Sequence, residues 1–451
     1  MLRKRCVFLF SLTLLILSAC MSQEDTVKEK TEEVIYQLHE EAYQQIEQDF
    51  FSEALRDKYP AADLQQSWEA NRGDTPEEIS EVKVATKEEV TVASSEVIFN
   101  DATVEVEMRW VEEKEETKLN SLRIQRPPQE LTLPDSVTEE EMIIEAEEGY
   151  PLKAKLTLPA DKEGPFPAVV LVHGSGPSNM DEEIFAYKPF KDIAYGLGEE
   201  GIAVLRYDKR TYAHVEKMME DFGAEQTVNE ETIDDAVEAA TLLQADERIQ
   251  ADHVYIGGHS LGGMLAPRID DQAGTAGMII LAGPPRPFWE IIYDQQVNAI
   301  PENLSDEAKE KQIDQADALK ELLASLQDMP KEEAMRYHFA GMSGYYFHEM
   351  AQYDVGQLAL DSKKPMLILQ GEADFQISAE KDFAAWQSLF DNEPQAVLKS
   401  YPNLNHSFIL SQGENKGTAQ EYEIPGHVDK QVISDISDWI HEQGRNKEKG
   451  E

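Results

Sequence analysis

The segment of this 451-residue chain richest in chemistry is Val254-Tyr255-Ile256-Gly257-Gly258-His259-Ser260-Leu261-Gly262-Gly263. A short apolar run reads as a strand, Gly258-x-Ser260-x-Gly262 as a tight turn, and a helix begins near Gly262. Glycines are required there because a β-carbon in so crowded a turn clashes with its neighbours. Such a turn lifts the Ser260 hydroxyl off the backbone and sets it at a helix N-terminus. There the dipole and the free N–H groups favour developing negative charge. That is a setting for a nucleophile, but a serine hydroxyl at its ordinary pKa attacks poorly and needs a base held by a third group. Two histidines qualify by position: His406, in Tyr401-Pro402-Asn403-Leu404-Asn405-His406, and His427 further on. Two carboxylates qualify as the orienting group, Glu372 and Asp374, both in the turn after the apolar run 366–369. His39, His253 and His441 read as surface residues, and His173 and His259 as residues that shape their own loops. A second glycine-rich turn, His173-Gly174-Ser175-Gly176, closes another apolar run; without a Gly-Lys-Ser/Thr ending it is a poor phosphate loop.

These residues need a scaffold, and the apolar runs 168–172, 203–205, 254–256, 278–281, 366–369 and 396–398 supply one. They are short, unbroken and separated by helical stretches, which predicts a mostly parallel sheet covered on both faces. Antiparallel candidates near 142–146 and 153–158 precede them. Between 284 and 353 the alternation stops and charged amphipathic sequence takes over, so this stretch reads as a helical insertion above the sheet. Trp289, Tyr293, Tyr345, Tyr346 and Phe347 within it are candidates to line an acyl or alcohol pocket.

From about residue 140 to 443 the chain resembles bacterial serine α/β-hydrolases of the carboxylesterase and dienelactone-hydrolase-related type. The resemblance rests on His173-Gly174-Ser175-Gly176, Arg206-Tyr207-Asp208-Lys209-Arg210, Gly258-His259-Ser260-Leu261-Gly262-Gly263, Gly371-Glu372-Ala373-Asp374 and Asn405-His406. It implies an α/β-hydrolase fold and a triad of Ser260, Asp374 and His406, in the chain order nucleophile, acid, histidine. It also implies an oxyanion hole made of the backbone N–H groups of Ser175 and Leu261. In these relatives the 206–210 run usually continues into a glycine; here Thr211-Tyr212-Ala213-His214 follows. The serine nucleophile sets the chain apart from dienelactone hydrolases proper, which use cysteine. The activity implied is cleavage of small-molecule carboxylic esters through an acyl-enzyme, with no metal or organic cofactor needed. Two other readings compete: a serine peptidase acting on small peptides, and an envelope binding protein whose site is dead.

Composition narrows the partners. The net charge is −47, from 41 basic and 88 acidic residues, which repels phosphate backbones and excludes a nucleic-acid binder. Both cysteines, Cys6 and Cys20, lie in the first twenty residues, so the body of the protein has neither disulfide nor thiolate metal site. Residues 1–20 begin with Arg3-Lys4-Arg5, continue through an apolar run too short to span a bilayer, and end in Leu17-Ser18-Ala19-Cys20. This resembles a bacterial lipoprotein signal, which implies an acylated Cys20 and attachment to the outer, extracytoplasmic face of the cell membrane. After it we expect a polar tether over 21–30, a small α+β domain over 31–126, a proline-containing linker over 127–135 and the hydrolase domain over 136–445. The helix-then-strands order of the small domain resembles cone-shaped, nuclear-transport-factor-like modules, and no residue in it carries identifiable chemistry.

Overall fold

The computed structural model describes residues 22–450 apart from 74, 88–89, 101, 115, 128–130, 302–303 and 414. The signal sequence and Cys20 lie outside the described residues. The chain divides into two compact units, Met1–Pro127 and Pro128–Glu451.

The first unit opens with helices α1 (Gln23–His39), α2 (Tyr43–Phe50), α3 (Glu53–Lys58) and α4 (Ala61–Asn71). Residues 23–30, expected to form a tether, are the first turns of α1. Ser22 and Asp25 form a reciprocal capping box, and Val27 and Thr31 are buried, so the polar look of this stretch belongs only to the outer face of a helix. Strands β1 (Pro76–Ile79), β2 (Lys83–Lys87), β3 (Val90–Phe99), β4 (Thr103–Glu113) and β5 (Glu116–Gln125) then form an antiparallel sheet. The apolar runs 90–92 and 97–99 are the two ends of one strand, β3. The small and polar residues between them alternate in burial like the rest, as the two-residue period of a half-buried strand demands. The core of this unit gathers Ile35, Leu38, Ile46, Leu64, Trp68, Val106 and Trp110.

The second unit alternates strands with helices. Its elements run β6 (Val137–Ile144), β7 (Leu152–Pro159), β8 (Phe166–Val172), α5 (Pro189–Glu200), β9 (Ala203–Tyr207), α6 (Arg210–Ala213), α7 (Val215–Asp221), α8 (Asp234–Ala245), β10 (Ile249–His259), α9 (Leu261–Ala273) and β11 (Gly277–Leu281). The excursion that follows carries α10 (Phe288–Asn298), α11 (Asp306–Ser325), α12 (Lys331–Ala334), the two-residue strands β12 (His338–Phe339) and β13 (Met342–Ser343), and α13 (Gly344–Met350). The sheet then resumes through α14 (Val355–Ser362), β14 (Met366–Gly371), α15 (Ala384–Leu389), β15 (Ala396–Tyr401) and the closing helix α16 (Lys430–Gly450).

Eight strands lie in the order β15-β14-β11-β10-β8-β9-β7-β6. β7 pairs antiparallel with β6 and β9; the other pairs are parallel. Successive residues of β8 feed opposite faces. Ala168, Val170 and Val172 enter one core, and Val169 and Leu171 the other. This is why the parallel strands read as unbroken apolar runs. The chain leaves β8 for β9 on one side and returns to β10 on the other. The carboxyl ends of β8 and β10 therefore flank the point where strand order reverses, where open α/β sheets leave a crevice. Val172 is in register with Gly258, so the His173–Gly176 turn and the Ser260 turn emerge side by side.

Candidate active site

Ser260 sits between β10 and α9 with φ 52° and ψ −115°, a left-handed-side conformation that β-carbons resist. Its neighbours explain how the strain is tolerated. A β-carbon on Gly258 would lie 2.2 Å from the Gly262 carbonyl oxygen, and one on Gly262 2.3 Å from that of Val172. Only glycine lets the turn close on itself and on β8. The Ser260 N–H donates to the Leu281 carbonyl (2.9 Å) and its carbonyl accepts from Met264 N–H (3.0 Å), so the turn is pinned to β11 and starts α9. Ser260 itself is only half buried.

His406 and Asp374 come together from two different loops. The His406 Nδ1 lies 2.8 Å from Asp374 Oδ2, with both side chains buried. The Asp374 carboxylate is saturated. Oδ1 accepts from the N–H groups of Gln376 (2.8 Å) and Ile377 (2.9 Å), and Oδ2 also accepts from Gln370 Nε2 (2.9 Å). An ionised carboxylate so placed requires a proton on Nδ1 and leaves Nε2 as the basic nitrogen of His406. The two competitors for these roles are engaged elsewhere. Glu372 accepts from the exposed Ser400 hydroxyl (2.7 Å), and His427 pairs with Asp192 (3.0 Å).

The turn after β8 lies against the serine: a β-carbon on Gly174 would be 3.2 Å from Ser260 Cβ and 3.7 Å from its Oγ. Ser175, the next residue, is exposed. Gly174 N–H donates to Glu182 Oε1 (2.8 Å), and the other oxygen of Glu182 lies 3.0 Å from His259 Nδ1. On its far side His259 Nε2 donates to the His406 carbonyl (2.9 Å), the two imidazole rings lying 4.6 Å apart. Burial works against charge on both members of the Glu182–His259 pair. Their mutual attraction prevails, lowering the Glu182 pKa and raising that of His259. One buried ion pair thus links the turns that carry Gly174, Ser260 and His406. His173 points elsewhere, with Nε2 3.0 Å from the Asn179 carbonyl and its pKa pushed down to about 4 by burial.

A family model described as alpha/beta hydrolase family matches residues 169–415, which span β8 to the segment beyond His406. The chain belongs to the alpha/beta hydrolase family. Among curated members, Esterase EstD of Thermotoga maritima is 38% identical over 308 residues, covering 68% of this chain and 68% of that protein. Solved structures similar to this hydrolase include Est1E from Butyrivibrio proteoclasticus, at 16% identity and TM-score 0.43 over 67% of this chain and 98% of that one. A hyperthermophilic esterase from the archaeon Pyrobaculum calidifontis gives 16% identity and TM-score 0.40, covering 68% of this chain and 86% of that one.

In this hydrolase the excursion between β11 and β14 encloses a cavity of about 530 Å³ against α9, with Met264, Leu265, Phe288, Trp289, Phe347 and Met350 among its walls. Of the five aromatic residues expected to line a pocket, Trp289 and Phe347 do so. Tyr346 turns away because its buried hydroxyl needs an acceptor, which it finds in Glu231 (2.7 Å). Tyr293 lies under the Lys320 ammonium (4.8 Å), and Tyr345 stacks on His348 beneath Lys331. Glu182, Gln370 and Glu231 escaped the reading of the sequence; nothing in their local spacing distinguishes them from the many surface acids and amides. Arg206–Arg210 was visible as a motif, and its purpose is now apparent. Arg206 pairs with Asp181 (2.8 Å) and Glu139 (2.6 Å), and Asp208 accepts from Met180 N–H (2.9 Å), so the run braces the segment after Gly174. At the end of the run, Arg210 starts the short helix α6.

Proposed function

We propose that this chain is a carboxylic-ester hydrolase in which Ser260 attacks the acyl carbon, His406 Nε2 takes the hydroxyl proton, and Asp374 holds His406 in the tautomer that makes this possible. The observation that carries this reading is the buried 2.8 Å contact between His406 Nδ1 and Asp374, beside the strained turn that presents Ser260. The esterase name of the Thermotoga relative supports the ester as substrate. In the tetrahedral intermediate the oxyanion faces the N–H groups of Ser175 and Leu261. His406 then protonates the departing alcohol, and water, activated by the same imidazole, releases the acid from Ser260. Donors fixed before the reaction stabilise the oxyanion selectively, because no reorganisation is needed when charge develops. The mainly apolar cavity beside α9, whose walls include Met264 and Leu265 on the helix that follows Ser260 but none of Ser260, Asp374 and His406, suits an acyl or alcohol chain.

The address is part of the proposal. Acylation of Cys20 anchors the enzyme to the outer face of a bacterial cell membrane. This reading rests on the basic start and short apolar run that end in Leu17-Ser18-Ala19-Cys20.

The test is fluorophosphonate labelling of the full chain in bacterial cells, followed by assay with short-chain nitrophenyl esters. We expect labelling in the membrane fraction that disappears in Ser260→Ala, and an Asp374→Asn variant whose kcat falls about 10³–10⁴-fold. Cys20→Ser moves the labelled enzyme out of the membrane fraction. Labelling and hydrolysis that persist in Ser260→Ala refute the nucleophile. Hydrolysis of aminoacyl amides with none of esters moves the enzyme to the peptidases.

A further inference from the structure

Gly174 is held at both ends. Its N–H is bound by Glu182, and its carbonyl accepts from the Lys209 ammonium at 2.8 Å. Lys209 is buried and also donates to Glu231 Oε1 at 2.6 Å, in a pair whose side chains are only 2% and 6% exposed. The other oxygen of Glu231 accepts from the hydroxyl of Tyr346, which lies on α13 within the excursion. A buried ammonium, a buried carboxylate and a buried phenol thus end on one peptide group, that between Gly174 and Ser175.

In a trans peptide the C=O and the following N–H point in opposite directions. Whatever fixes the Gly174 carbonyl therefore fixes the direction of the Ser175 N–H. Glycine permits the backbone to rotate widely about this bond pair, so the orientation needs an external hold. If the peptide turned over, the N–H would leave and a carbonyl lone pair would take its place, repelling an oxyanion.

We propose that Lys209, locked by Glu231, is a positioning residue for the oxyanion hole, and that Tyr346 brings the helical excursion into the same hydrogen-bonded chain. This rests on the reading of Ser260 as nucleophile and of the Ser175 N–H as an oxyanion donor. Lys209 touches no reacting atom. It acts by denying the Gly174–Ser175 peptide its alternative orientation. Burial and the Glu231 carboxylate hold the Tyr346 phenol well above its ordinary pKa, so it stays a donor throughout the working range of pH.

The test compares Lys209→Met, Glu231→Gln and Tyr346→Phe with wild type, using a short-chain ester, a trifluoromethyl ketone that forms a tetrahedral adduct on the serine, and the matching methyl ketone. In Lys209→Met we expect kcat to fall about 30–100-fold, somewhat less than for outright loss of an oxyanion donor, with KM within about twofold. The inhibition constant of the trifluoromethyl ketone rises in parallel, while binding of the methyl ketone is unchanged. A merely structural role would weaken both ketones and shift KM. Glu231→Gln loses about 5–10-fold in kcat and Tyr346→Phe about 2–5-fold, a gradient that follows distance along the chain. If Lys209→Met does not fold, these two variants decide, and wild-type kcat in both overturns the proposal. So does a folded Lys209→Met with wild-type kcat and ketone inhibition, provided Ser260→Ala is inactive. An active Ser260→Ala instead removes the reading on which the proposal stands.

Discussion

Trp110 in the first unit and Arg210 in the second are both wholly buried, yet they keep different company. Trp110 lies among aliphatic and aromatic side chains, and its indole N–H meets the Thr31 hydroxyl at 3.0 Å. Arg210 forms a two-armed contact with Asp235 and a third bond to Glu147, with the Tyr150 ring 4.9 Å away. The pattern extends beyond this pair. Among the described residues, the buried polar side chains of the first unit are Thr31, Ser52, Asn71, Thr91, Ser95, Thr117 and Gln125, none of which carries a charge. In the second unit Glu182, Arg206, Lys209, Arg210, Glu231 and Asp235 are all buried, along or near the segments that shape the Ser260 site. Removing an ion from water costs several kcal/mol even after the surroundings relax, and pairing offsets this only in good geometry, so an ion pair is a poor way to gain stability. What a buried pair does offer is direction: a charge fixed in low dielectric holds a loop where solvated contacts would let it wander. One unit is built to stay folded, and the other accepts an expensive interior to keep loops in place.

The sharpest way to break this contrast is to remove one partner of a buried pair. Arg210→Met should leave the Asp235 carboxylate without its counter-ion and destabilise the second unit by about 3–5 kcal/mol, read from hydrogen exchange of the β9 and β10 amides. A loss below about 1 kcal/mol would mean that the arginine is tolerated rather than needed. Next comes Glu182→Gln, where the effect depends on pH. The Glu182 pKa is lowered, so its contribution is present above the unfolded carboxylate value near 4.5 and fades as pH falls through the folded value. The His259 pKa is raised, so its contribution is complete below about 6.5 and fades as pH rises through the folded value. The wild type should therefore exceed Glu182→Gln by about 2–3 kcal/mol near pH 5.5, with the gap narrowing in both directions. A gap independent of pH would mean that the pair is not ionic. Smallest is Thr31→Val, which keeps shape and removes one neutral acceptor. We expect a loss of about 1–2 kcal/mol, confined to exchange of the β3 and β4 amides. A loss rivalling that of Arg210→Met would erase the distinction between the two interiors.

The sheet and the tight turn at Ser260 were readable because their signals are local. An unbroken apolar run marks a strand buried on both faces, and glycines at 258 and 262 mark a turn with no room for β-carbons. Such runs predict the mostly parallel sheet, while the α/β-hydrolase fold was implied by the resemblance that the motifs at 173–176, 206–210, 258–263, 371–374 and 405–406 carry. The polar network was not readable for the same reason. Glu182 stands in the acidic run Asp181-Glu182-Glu183 of a chain rich in acids, and only the fold shows which of the three turns inward. Glu372 and Asp374 differ by two places in one turn, and the choice between them depends on which meets His406. The start of α1 was missed because its exposed face is all polar, while the residues that bury it are spaced as a helix and not as a run. Lys209 sat inside a recognised motif, yet its partners Gly174 and Glu231 are 35 and 22 residues away. Chemistry assembled at such separations leaves no periodic trace.

The backbone at Ser260 carries a last consequence. A residue with a β-carbon held at φ 52° and ψ −115° costs of order 1–3 kcal/mol, which the rest of the domain must offset. Under selection for folding alone, replacements that relax this turn are downhill, and the serine is the residue most readily lost. On the proposed role of Ser260 as nucleophile, its persistence in a lineage would record continuous demand for turnover, and a copy of the gene released from that demand should exchange it for glycine, which carries no β-carbon, before the domain loses its shape.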